Sequence, residues 1–169
     1  MDELLEPPVF LLGMPRSGTT WVAKILDSHP DVLYRHEPDV QVRQPSLPYN
    51  PGMDELADLG TDTNKYISEM VGCTTLRVSG ILPIFPKNYR SKIVQYRHTA
   101  LIFGLRAMQK TFPVLRKQID NIRVPTAAVS SVKGRVVPVI KSVDSLSRAK
   151  LFCHADPNAK IVHIIRHPC

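Results

Sequence analysis

One stretch near the start constrains the fold more than any other. Val9-Phe10-Leu11-Leu12 is an unbroken apolar run behind two prolines, followed by Gly13-Met14-Pro15-Arg16-Ser17-Gly18 and then a helically spaced segment from Thr19 to Ser28. A short run without polar alternation predicts a strand buried on both faces. Both faces then need cover, which calls for a layered α/β domain. Trp21, Val22, Ile25 and Leu26 fall on one side of the predicted helix, which should end at Asp27-Ser28-His29-Pro30 because proline disfavours helical geometry in the residue before it. Val32-Leu33-Tyr34 reads as a second strand, closed by Glu37-Pro38.

Further along, Asp39 to Gly52 is proline-rich and predicts an irregular loop, with a short helix near Met53 and another from Asp62 toward Val71. Cys73 to Lys87 carries no clear period. A long helix is predicted from about Tyr89 to Phe112, with Val94, Leu101, Leu105, Met108 and Phe112 as its apolar stripe and Arg90, Arg97, Arg106 and Lys110 opposite. Arg135 to Val143 predicts a strand, kept away from the sheet centre by Pro138, which cannot donate to a ladder. Ser145 to His154 reads as a helix with Ser145 as N-cap. Lys160 to Arg166 reads as a core strand. The sequence stops three residues later at Cys169, and a buried strand still needs its edge and faces covered, so an incomplete, C-terminally truncated domain is expected. The order of elements predicts an α/β fold: a parallel sheet in three layers with right-handed crossovers.

The 169 residues suit a single domain, and 43% hydrophobic with 22% charged residues argues against disorder. A net charge of +7 attracts polyanions without choosing among them. Three scattered cysteines exclude a disulfide framework and suit a reducing compartment. The acidic start, Met1 to Pro8, reads as neither signal peptide nor membrane segment, so a cytoplasmic protein is expected. His163 and His167 lie four apart, but no carboxylate or cysteine completes a set, and no metal is expected. The basic stretch from Tyr89 to Lys117 carries no nucleic-acid-binding signature and reads as a solvated helix face. Nothing in the sequence sets the oligomeric state.

Gly13 and Gly18 are five apart between a strand and a helix, as in the phosphate-binding pattern G-x-x-x-x-G-K-[ST]. Glycines there let the backbone curl around an anion, and the helix start aims free N–H groups at it. Thr19 stands where that pattern has lysine. Arg16 instead puts a cation inside the loop, and Ser17, Thr19 and Thr20 offer hydroxyls. The loop is thus P-loop-like, built for a phosphate or sulfate group rather than for ATP hydrolysis. A kinase-like nucleotide-binding protein and a basic nucleic-acid-binding domain remain the competing classes.

Pro15-Arg16-Ser17-Gly18-Thr19-Thr20-Trp21 resembles the 5′-phosphosulfate-binding loop of the sulfotransferase family. Ile161-Val162-His163-Ile164-Ile165-Arg166-His167-Pro168 resembles the family's later strand that ends in arginine and proline, with His167 in place of the commoner aspartate. The resemblance implies 3′-phosphoadenylyl sulfate as co-substrate, without a metal. It implies that Pro15 to Trp21 hold its 5′ end, Arg16 at the bridging oxygen, and that Arg166 meets its 3′-phosphate. The partners of Arg166 in the family, a serine eight residues on and a glycine-rich basic loop, fall beyond Cys169. The acceptor would be a sugar or small-metabolite hydroxyl. Glu37, a glutamate before proline, is implied as catalytic base. His36 is the alternative because an ordinary imidazole titrates near neutrality. Lys141 resembles a lysine placed near the transferred group. Trp21 reads first as core packing behind the loop, with base stacking as the alternative.

Overall fold

The computed structural model describes residues 5–125 and 135–166. The segment 126–134, and His167 with Pro168 of the second motif, lie outside the described residues. Four strands form one parallel sheet: β1 (Val9–Gly13), β2 (Val32–His36), β3 (Val137–Ser142) and β4 (Lys160–Ile164), in the spatial order β2-β3-β1-β4. Six α-helices accompany them among the described residues: α1 (Thr19–Asp27), α2 (Gly60–Gly72), α3 (Leu76–Ser79), α4 (Lys92–Thr111), α5 (Arg116–Asp120) and α6 (Ala149–Ala155).

The alternation of a strand divides the core into two faces. Phe10 and Leu12 of β1, with Leu33 and Ile140, pack against Tyr66, Ile67 and Met70 of α2 and Phe152 of α6. Leu11, Val32, Tyr34 and Val139 turn the other way, onto Ala23, Val22 and Leu26 of α1. The expected three layers are therefore present: α1, the sheet, then α2 with α6. A satellite core of Leu76, Ile102, Leu105, Ile119 and Val124 ties α3, α4 and α5 together beside the sheet.

Two buried charge clusters join these parts. The Asp27 carboxylate, at the end of α1, lies between Lys24 and the buried Lys87, whose ammonium also donates to the His29 carbonyl at 3.1 Å. Arg35 on β2 is wholly buried. Its Nε–H donates to the Val71 carbonyl at 2.7 Å and its Nη1 to the Tyr34 carbonyl at 3.3 Å. Burial lowers its pKa to about 10, and the partial negative charge at the C-terminus of α2 compensates the guanidinium.

The structure departs from the sequence reading in several elements. β3 is an interior strand despite Pro138. Val137 donates to the Asp31 carbonyl on the β2 side, so by alternation the missing donor of Pro138 faces the β1 side, ahead of the first β1–β3 pair, Val9↔Val139. β4, expected in the core, is an edge strand paired to β1 with Lys160, Val162 and His163 exposed. The helix expected near Met53 is a run of turns leading into α2. Ser145 does not cap a helix; its hydroxyl donates to the Asp39 carboxylate at 2.7 Å. Finally, α4 is rotated from the expected stripe. It buries His98, Ile102, Leu105 and Gln109 and leaves Leu101, Met108 and Phe112 exposed. Gln109 turns inward because its amide bridges the Asp120 carboxylate at 2.7 Å and the Arg116 carbonyl at 3.4 Å.

The Phe10 and Phe152 rings stack at 4.3 Å between centroids and clamp α6 to the sheet. Phe152→Ala is expected to cost about 3–5 kcal/mol in urea denaturation, and a change below about 1 kcal/mol would show that this face carries little of the stability.

Candidate functional site

The chain reaches β2 from β1 over the face covered by α1, and passes from β3 to β4 over the face covered by α6. β1 is thus the strand on whose two sides the connections diverge, and its carboxyl end is where an open parallel sheet leaves a crevice. The registers Gly13↔Ile164, Leu12↔Ser142, Leu11↔Lys141 and His36↔Lys141 bring the ends of all four strands to that edge.

The Gly13–Gly18 turn wraps this crevice. The Ser17 N–H donates to the Met14 carbonyl at 3.1 Å, and the chain then swings through two left-handed residues, Arg16 at φ 65° and Gly18 at φ 91°. Gly18 adopts that conformation freely, whereas Arg16 bears strain of the kind that accumulates at ligand clamps. Gly13 has no room for a side chain. A Cβ there would lie 2.8 Å from the Ile164 carbonyl oxygen, the Ser17 hydroxyl and the Thr19 methyl.

No side chain caps α1 at Gly18, and its first turn holds no acidic residue. The partial positive charge of the helix start therefore meets no internal counter-charge. The Ser17 hydroxyl is buried without a hydrogen-bond partner. Thr19 is buried while Pro15, Arg16 and Thr20 are exposed. Trp21 is 71% exposed and does not take the core position expected for it, because Ala23 and Thr19 take the inward face of α1. From the neighbouring strand end, Arg166 reaches across and donates to the Arg16 carbonyl at 3.4 Å. The two sequence motifs, 150 residues apart, meet here.

Glu37, His36 and Lys141 form a second group on the same edge. Glu37 is left-handed (φ 47°) at the turn out of β2, and its N–H donates to the Lys141 carbonyl at 2.8 Å. Its carboxylate is ion-paired with the ammonium of Lys141, which is only 2% exposed. Burial opposes the Glu37 charge, but the hydrogen bond and charge of Lys141, with smaller help from His36 and Arg77, hold its pKa below the ordinary value. Burial, then the Lys141 charge, pushes His36 down to about 4, so the imidazole is neutral near pH 7. The expected titration of His36 near neutrality does not hold in this setting. Its Nδ1 pairs with the Tyr34 hydroxyl at 2.7 Å.

Some supporting residues carried no sequence signal. The Lys24 ammonium sits 5.3 Å from the centre of the Tyr34 ring, whose hydroxyl meets His36. The Asp39 carboxylate accepts from the Ser142 and Ser145 hydroxyls, tying the turn after Glu37 to the turn after Lys141. Only the contact across β2 and β3 reveals these roles. Among the described residues no group of three or more His, Cys, Asp or Glu side chains could hold a metal ion, and no helix is long and apolar enough to cross a membrane.

A search of curated protein sequences gave no match. Among solved structures, sulfotransferase STF1 from Mycobacterium tuberculosis H37Rv is similar over 98% of this chain and 47% of its own, at 19% identity and a TM-score of 0.38, so this chain spans about half its length. The sequence model described as "Sulfotransferase family" matches residues 7–169, and the chain belongs to that family.

Proposed function

We propose that the domain binds 3′-phosphoadenylyl sulfate along the carboxyl edge of its sheet and directs transfer of the sulfuryl group to a hydroxyl of a sugar or small metabolite. The observation that carries this reading is the pairing at β1: an uncapped helix start behind a strained, arginine-bearing turn, with Arg166 lodged on the same turn. An anhydride of phosphate and sulfate with a second phosphate on the ribose would use both arginines. The unpartnered Ser17 hydroxyl and the closed approach at Gly13 fit an anion held by backbone N–H groups.

In this reading the loop amides at the start of α1, with the Ser17 hydroxyl, orient the 5′ end, and Arg16 neutralises charge gathering on the bridging oxygen as it leaves. Arg166 holds the 3′-phosphate, and the exposed Trp21 ring offers a surface for the base. The acceptor oxygen forms its bond to sulfur while the bond from sulfur to the bridging oxygen breaks, releasing adenosine 3′,5′-bisphosphate. Glu37 takes the acceptor proton; neutral His36 is the other group on this edge able to do so. Once Glu37 is protonated, Lys141 loses its counter-charge and is free to face the transferring sulfonate. A cation held back by a carboxylate until the proton moves strengthens as charge develops.

Four outcomes follow. Titration calorimetry with adenosine 3′,5′-bisphosphate should give binding that Arg16→Ala weakens at least tenfold, the loss of one charge-assisted hydrogen bond; equal affinity for ATP with magnesium would favour a kinase-like site. Gly13→Ala should cost about 1–3 kcal/mol of stability and weaken the same binding, since the Ile164 backbone cannot yield to the added methyl. In a form of the protein that turns over, Glu37→Gln should lower kcat by at least a hundredfold yet spare nucleotide affinity. Because Glu37 and His36 are both in their basic form near neutrality, the rate should be level between about pH 5 and 8, and a fall centred near 6.5 would point to a different base.

A further inference from the structure

The rotation of α4 leaves a second apolar face on the outside of the molecule. Ile93, Tyr96, Ala100, Phe103 and Ala107 follow one another at spacings of three and four, which lines them along one side of the helix. This is the side away from His98, Ile102, Leu105 and Gln109, the residues α4 buries. Tyr96 is 77% exposed and Phe103 54%. The apolar surface continues past the helix end through Phe112, Val114 and Leu115, where Val114 is 89% exposed. A single exposed apolar side chain is ordinary; a continuous row of them marks a contact surface.

The charges around this row are of one sign. From Met70 to Ile119 the chain contains no aspartate or glutamate, although lysine and arginine recur throughout. Lys92, Arg97, Lys110, Arg116 and Lys117 are all exposed along α4 and its continuation into α5. Arg106, by contrast, is spent internally on the Gly80 carbonyl at 3.0 Å and on Asp120 at 3.4 Å. Aromatic and aliphatic side chains bordered by exposed cations, with the one carboxylate of α5, Asp120, taken up by Arg106 and Gln109, are the composition of helices that lie in a lipid headgroup region.

We infer that α4, with the turn and short helix that follow it, is a docking surface for an anionic lipid bilayer. Ile93, Tyr96, Phe103 and Val114 enter the headgroup boundary, and Lys92, Lys110, Arg116 and Lys117 meet lipid phosphates and carboxylates. Charge chooses this occupant over the others. A second copy of the surface would set cations against cations. A nucleic acid would satisfy the lysines but leave the apolar row in water. An anionic bilayer satisfies both, and it requires no spanning helix. Docked this way, the domain is a peripheral protein, and its carboxyl-edge site works beside a membrane.

Vesicle co-sedimentation tests the inference with the chain as it stands. Phosphatidylcholine vesicles containing about a third phosphatidylserine should bind it at least tenfold more tightly than pure phosphatidylcholine vesicles, with affinity falling steeply as salt is raised. Lys110→Glu with Lys117→Glu should abolish the preference, each lost cation being worth about fivefold in partitioning. Tyr96→Ser with Phe103→Ser should weaken binding about tenfold, with an unchanged circular dichroism spectrum showing that the fold is kept. Equal binding to both vesicle types, or none, overturns the proposal. So does a concentration-dependent dimer in sedimentation velocity that Tyr96→Ser with Phe103→Ser dissolves. Binding to mixed-sequence DNA as tight as that to anionic vesicles, and indifferent to the Tyr96 and Phe103 changes, overturns it as well.

Discussion

The rest of the structure depends on how the chain leaves β1. A buried parallel strand must hand over to a helix within six residues, and the handover leaves the first amides of α1 without internal acceptors. The chain meets this by curling through left-handed Arg16 and Gly18 and pressing Gly13 against the backbone of β4. The close approach fixes β4 beside β1, carries Arg166 to the turn, and so fixes which residues can share a ligand with it. An anion there would satisfy the free amides, the unpartnered Ser17 hydroxyl and two guanidinium groups together.

The second group on the sheet edge is held by a different means. Lys141 lies on β3 and Glu37 directly follows β2, its neighbour in register, and each compensates the charge of the other in a place that neither could occupy alone. The ion pair also sets the chemistry next to it. Lys141 keeps Glu37 ionised, and burial followed by the Lys141 charge keeps His36 neutral against the opposing pull of Glu37, so both candidate bases are in their basic form at physiological pH. Asp39 braces the pair from behind through Ser142 and Ser145. In the proposed sulfuryl transfer, the arginines at the turn and the Lys141 ammonium paired with Glu37 would share the charge of the moving group.

Much of this was legible in the sequence because the local signals were strong. The apolar run of β1 and the glycine spacing gave the strand–turn–helix unit, and the order of elements gave the parallel α/β sheet. Elsewhere tertiary context prevailed. Pro138 marks an edge only if its missing donor faces a ladder partner, and here it falls ahead of the first β1 pair. The outward turn of Trp21 and the rotation of α4 depend on which small or polar residues are drawn inside, Ala23 and Thr19 in one helix and His98 and Gln109 in the other. Hydrophobic periodicity does not see those choices, because buried polar residues are selected by partners distant in the chain, as Gln109 is by Asp120. The Tyr34–His36 contact and the brace at Asp39 were invisible for the same reason.

The central claim is that the turn after β1 receives an anion on its backbone. Amide chemical shifts observed by NMR while adenosine 3′,5′-bisphosphate is added to the chain report on that directly. The account requires the largest changes at the N–H groups of Ser17, Gly18, Thr19 and Thr20, saturating together with those of Ile165 and Arg166. Saturable changes gathered on α4, or spread along the basic surface while the Gly13–Gly18 amides stay fixed, would contradict it.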